Sequence, residues 1–148
     1  MAPEIKGSLK FLKNLYFRPQ VIYTKFIAND DNALSIPAWF VNAKLMYENF
    51  LFKRHLQMQV GAEFHWQSTY YATGYDPVIQ QFYIQNTVVS PSYPAVDLFF
   101  NAKMRRGRWF VKYNNFSQAF TKIGYMPTPG YPNTRPMIDI GFDFLLFD

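Results

Sequence analysis

The strictest pattern in the chain is HLQMQVGAEFHW at residues 55–66. Leu56, Met58, Val60, Ala62, Phe64 and Trp66 are apolar, whereas His55, Gln57, Gln59, Gly61, Glu63 and His65 include no apolar side chain larger than glycine. Successive side chains of a β-strand point to opposite faces, so a period of two specifies a strand with one apolar and one polar face. Soluble strands usually run to about five or six residues, while a tilted bilayer crossing takes roughly nine to eleven. A twelve-residue alternation fits the crossing better.

The alternation recurs along the chain. Ile138, Ile140, Phe142, Phe144 and Leu146 oppose Asp139, Gly141 and Asp143; Val96, Leu98, Phe100, Ala102 and Met104 oppose Asp97, Asn101 and Lys103, with Phe99 an exception on the polar side. Trp109, Val111 and Tyr113 oppose Lys112 and Asn114, and Trp39, Val41, Ala43, Leu45 and Tyr47 oppose Asn42, Lys44 and Glu48. Two weaker strands are expected near Leu9 to Phe17 and Val21 to Ala28. Short connections fall near Arg18, near Glu48 and at RRGR (105–108). Long ones fall at NDDNALSIP, from Ser68 to Pro94, and from Ser117 to Pro136. Short and long connections alternate, as periplasmic turns and extracellular loops do in an outer-membrane barrel, although an antiparallel soluble sheet can do the same.

Composition removes other classes. Aromatic residues are 20% of the chain and charged residues 17%, against about 25% charge in an average globular domain. No run approaches the roughly eighteen apolar residues of a transmembrane helix, which excludes a helical membrane protein. The chain has no cysteine, so neither a disulfide framework nor a thiolate metal site is available. MAPEIKGSLK lacks the apolar core and cleavage site of a secretory signal, so either the protein stays in the cytoplasm or this chain is a piece of a longer one. The net charge of +5 does not point to nucleic acid, because no Lys or Arg occurs between Arg54 and Lys103. KMRRGR sits between two strand-like runs and reads as a tight, solvated hairpin turn.

Two architectures share this pattern. A soluble β-sandwich buries its apolar face against a second sheet; a membrane barrel turns that face to lipid and its polar face inward. Aromatic residues where strands meet their ends, Trp39, Tyr47, Trp66, Tyr70, Trp109 and Tyr113, favour the barrel, because amphipathic rings settle at the headgroup level. The expected lipid-facing residues are Leu56, Met58, Val60, Phe64, Leu98, Phe100, Val111, Ile138, Ile140, Phe142 and Phe144. The expected lumen-facing residues are Gln57, Gln59, Glu63, Asp97, Asn101, Lys103, Lys112, Asn114, Asp139 and Asp143.

From Phe50 onward the order of motifs resembles the C-terminal part of the putative porin family of Bacteroidota outer membranes. The matching residues are Gly61, Tyr70, Tyr71, Tyr75, Pro77, Phe82, Tyr83 and Gln85, then Tyr93, Pro94, Asp97, Asn101, Lys103, Phe110, Val111 and Lys112, and finally Tyr131, Pro132, Phe147 and Asp148. Members are much longer and carry a signal sequence, so the chain looks like the C-terminal end of such a protein. The resemblance implies an all-β, antiparallel up-and-down transmembrane β-barrel in the bacterial outer membrane. Its C-terminal strand would be read by the assembly machinery. Residues 1–148 then form one barrel segment, with about seven crossings near 9–17, 21–28, 38–47, 52–66, 96–104, 109–116 and 137–147, and with 81–88 in an extracellular hairpin extension.

No catalytic constellation accompanies this pattern. His55 and His65, read as ten residues apart on one strand, would lie roughly 33 Å from each other and could not share a metal. His65 has Glu63 or Asp76 as possible carboxylate partners, but no nucleophile motif goes with them. The expectation is a protein without enzymatic activity, cofactor or metal. It would meet outer-membrane lipid and pass small polar solutes by passive diffusion. A barrel with a plugged interior that serves structure or partner binding, and a soluble β-sandwich binding module, remain as alternatives.

Overall fold

The computed structural model describes residues 2–25, 35–120, 128–131 and 135–145. The expected strand end at 26–28, the terminal residues 146–148, and parts of two expected loops lie outside them. The main sheet is antiparallel, with the hydrogen-bonded order β1 (Glu4–Lys6), β3 (Leu15–Tyr23), β4 (Trp39–Leu51), β5 (Leu56–Gln67), β10 (Ala95–Met104), β11 (Gly107–Asn114) and β12 (Met137–Phe144). β2 (Leu9–Leu12) also pairs with β3. Among the described residues the sheet is open: β1 and β2 form one edge, β12 the other, and it is not closed into a barrel.

β1 and β2 are one line of pairing with a gap. Glu4 to Lys6 pair with Ile22 to Gln20, and Leu9 and Lys10 take up the same register against Phe17 and Tyr16. Pro19 causes the gap. Its carbonyl accepts the Gly7 N–H at 3.0 Å, but a proline has no N–H to return to this neighbour. β3 therefore runs straight through Arg18 and Pro19, and the chain reverses at Lys13–Asn14 rather than near Arg18 as the sequence suggested. A strand next to the edge tolerates the missing donor on the side of a short, interrupted neighbour.

The next turn is also displaced. β4 passes through Glu48 to Leu51, and the chain turns at 52–55, where Phe52, Lys53 and Arg54 have φ of 51°, 54° and 71°. His55 belongs to this turn and not to the strand face assigned to it above.

The long connection between β5 and β10 is folded. β6 (Tyr70–Tyr71) and β9 (Val89–Ser90) keep the β5–β10 register, so they prolong the same hairpin. β7 (Gly74–Asp76) and β8 (Gln81–Tyr83) extend it again with the register shifted by three residues. The extra length on the return side is held by Gln85. Its amide nitrogen donates to the carbonyls of Ala72 and, at 2.8 Å, Val88, and its oxygen accepts the N–H groups of Thr87 at 2.9 Å and Val88 at 2.7 Å. Ala72, Ser90, Tyr93 and Asn115 are all buried, so the loop end is packed more tightly than the middle of the sheet.

Candidate functional site

Register decides which side chains share a face. Val60 lies between Tyr47 and Phe100, Phe100 pairs with Val111, and Val111 with Ile140. Rows on either side bring Leu56, Met58, Phe64, Leu98, Ile138, Phe142 and Phe144 to this same face. No Asp, Glu, Lys or Arg occupies this face in β3, β4, β5, β10, β11 or β12. Trp39 and Trp66 stand on it at the loop end, with Tyr23 4.5 Å from Trp39; Trp109 stands at the turn end, stacked on Phe142 at 5.4 Å. Tyr47 is nearer the turn end of β4 and Tyr113 nearer the loop end of β11, whereas Tyr70 lies beyond the sheet in the hairpin extension.

The opposite face carries all ten residues expected there: Gln57, Gln59, Glu63, Asp97, Asn101, Lys103, Lys112, Asn114, Asp139 and Asp143. It also carries Arg18, Gln20, Asn42, Lys44, Glu48, His65 and Arg108, which were not among them. Its centre is an ion-pair chain across four strands. Lys44 Nζ lies 2.6 Å from Glu63, Lys112 Nζ lies 3.5 Å from Glu63 and 2.9 Å from Asp97, and His65 lies 4.0 Å from Asp97. Asn42 Oδ1 is 2.6 Å from His65 Nδ1, so the partners of this histidine come from neighbouring strands rather than from Asp76. Toward the turn end Arg108 forks onto Asp143 at 2.6 and 3.1 Å, and Gln57 donates to Glu48; Asn114 donates to Asp139 at the sheet edge. Opposite charges that alternate across strands neutralise one another.

Two hollows open on this face. One, of about 300 Å³, is lined by Gln57, Gln59, Asn101, Lys103, Arg108, Phe110 and Asp143. The other, of about 370 Å³, is lined chiefly by Arg18, Gln20, Asn42, Lys44, Glu63 and His65. Glu63, His65 and Asp97 bring one ligand atom each within 4.8 Å of one another. Both carboxylates already bind lysine ammonium groups, so a metal cation would have to displace Lys44 and Lys112.

Burial is inverted relative to a soluble sheet. On the polar face Met46 and Phe99 are only 5% and 7% exposed, whereas on the apolar face Leu45, Val60, Ile140 and Phe142 are 45%, 41%, 72% and 68% exposed. Phe99 fits among polar residues because it stands opposite Gly61, whose missing side chain leaves room for the ring, and Lys44 Nζ sits 4.3 Å above it.

Fold and faces define a class: an antiparallel β protein with one charge-paired face and one apolar face that no described residue covers. The family described as "Putative porin" matches residues 1–148, and the chain belongs to this family. No curated protein and no solved structure matches it.

Proposed function

We propose that the sheet is part of an outer-membrane β-barrel whose apolar face meets lipid and whose polar face lines a path for passive diffusion of small polar solutes, with no enzymatic step. The observation that carries this reading is the inverted burial. An uncharged apolar face spread over six long strands, with no described residue packed over it, is far larger than the patches soluble monomers leave bare. Its height agrees with a bilayer. Leu56 to Trp66 spans ten residue steps on β5, or about 33 Å along the strand, and at a tilt near 40° this gives roughly the 25 Å of an outer-membrane apolar band. Membership of the putative porin family supports the outer membrane as the location.

A charge placed on one face and then on the other tests the assignment. Val60→Arg is expected to cost about 2–4 kcal/mol near the membrane midplane, whereas Gln59→Arg next to it is tolerated far better. Unfolding titrations of both variants in lipid vesicles measure the difference, and equal penalties would refute it.

A second reading has its own support. Met46 and Phe99 fill part of the polar face, as a plugged, structural or partner-binding barrel requires. Conductance in planar bilayers separates the two, since a plugged interior passes no solute current.

A further inference from the structure

The short turns at one end of the sheet share a composition. Lys13–Asn14, 52–55 and Arg105–Arg106 contain Lys13, Lys53, Arg54, Arg105 and Arg106, and no acidic residue. All five cations are exposed. One of the long connections at the opposite end differs, for between Phe64 and Val96 the only Asp, Glu, Lys or Arg is Asp76.

Beside the Arg105–Arg106 turn lies a groove of about 800 Å³ lined by Met104, Arg105, Arg106, Gly107, Trp109 and Phe144. Its wall is the end of the apolar face: Met104, Trp109 and Phe144 are each more than half exposed. Gly107 presents no side chain, and the Phe144 ring lies across from it in the register. An apolar wall that ends in two adjacent guanidinium groups matches an amphiphile with an anionic head. Guanidinium binds phosphate oxygens in pairs, and the apolar wall accepts an acyl chain.

We propose that this groove binds an anionic phospholipid of the phosphatidylglycerol class, with its phosphate on Arg105 and Arg106 and an acyl chain along Met104, Trp109 and Phe144. The other two basic turns extend the same field along the leaflet. A zwitterionic lipid offers the same phosphate but carries its own cation into a surface of five cations, so the net-negative headgroup is preferred. This inference rests on the membrane reading above and adds a lipid preference to it.

Trp109 reports on the groove. With the protein in phosphatidylcholine vesicles, brominated phosphatidylglycerol is expected to quench tryptophan more strongly than brominated phosphatidylcholine at equal mole fraction. Arg105→Gln with Arg106→Gln is expected to reduce that preference by about tenfold. The same comparison in a Trp39→Phe, Trp66→Phe background isolates Trp109. If that background fails to fold, the unchanged tryptophans compared with and without the two arginines decide the question. Equal quenching by both lipids overturns the proposal while leaving membrane insertion intact, and assigns the basic turns to an acidic protein surface instead. No quenching by either lipid overturns the membrane reading itself, and the groove assignment with it.

Discussion

Gly61 does the most with the least. A Cβ built there would fall 2.2 Å from the Leu45 carbonyl oxygen and 2.8 Å from the Phe99 ring. The carbonyl is part of the β4 backbone and cannot move aside, so Gly61→Ala is expected to cost about 1–3 kcal/mol as overpacking. Gly141 repeats the pairing under Phe110, but there the blocking atoms are the far end of a ring that is 40% exposed and free to swing. Gly141→Ala is therefore expected to be the milder change, and denaturant unfolding of both variants under the same conditions checks the order. A larger loss from Gly141→Ala would mean that Phe110 is held more firmly than its exposure implies. Alternation in the sequence exposed Phe99 as an exception but not its reason. The reason needs the cross-strand register that sets Phe99 on Gly61, and a single strand's pattern does not carry that.

At the scale of elements, legibility followed the alternation and failed at the turns. Strands β5, β10, β11 and β12 were readable because their faces differ sharply, and a shift of one residue would bring Glu63 or Asp97 onto the apolar side. The turn at 52–55 was not, because its three left-handed residues are Phe52, Lys53 and Arg54 rather than the glycine or asparagine that such backbone normally favours. Pro19 misled in the opposite way, since a turn signal lies inside β3. In the polar face the acids and amides of β5, β10 and β12 were legible, whereas Asn42, Lys44 and His65 emerged as one network with Asp97 only when four strands were in register. The terminal strand has a role that follows from its position. Its ladder with β11 runs from Asn114–Met137 to Gly107–Phe144, and among the described residues its other side is an edge. Removing residues 142–148 cuts into this ladder and bares the end of β11, and on the proposed outer-membrane reading it also removes the segment that assembly machinery would read. The truncated protein is expected to be absent from the outer-membrane fraction of cells that express it, and its recovery there in normal amount would contradict this.

For the whole molecule, the directions of the two edges set the constraint. Each neighbour in the main sheet is antiparallel, so the combined β1–β2 line and β12, the first and last of seven antiparallel rows among the described residues, run the same way. Joining them directly would make a parallel seam. A closed barrel that is antiparallel throughout needs an odd number of further strands between these edges, which agrees with the even strand number of bacterial outer-membrane barrels. Left open in hydrocarbon, each edge would present backbone donors and acceptors with no water to bond, at a cost of several kcal/mol per group. The sheet of this chain alone is therefore not expected to give a closed, conducting monomer. The absence of native cysteine makes the test clean. With Ile5→Cys on one edge and Ile140→Cys on the other, oxidation in vesicles is expected to give no disulfide within one chain and no heat-modifiable monomer on a gel. An intrachain disulfide together with single-channel conductance would show that β1 and β12 meet in a parallel seam and that seven rows suffice.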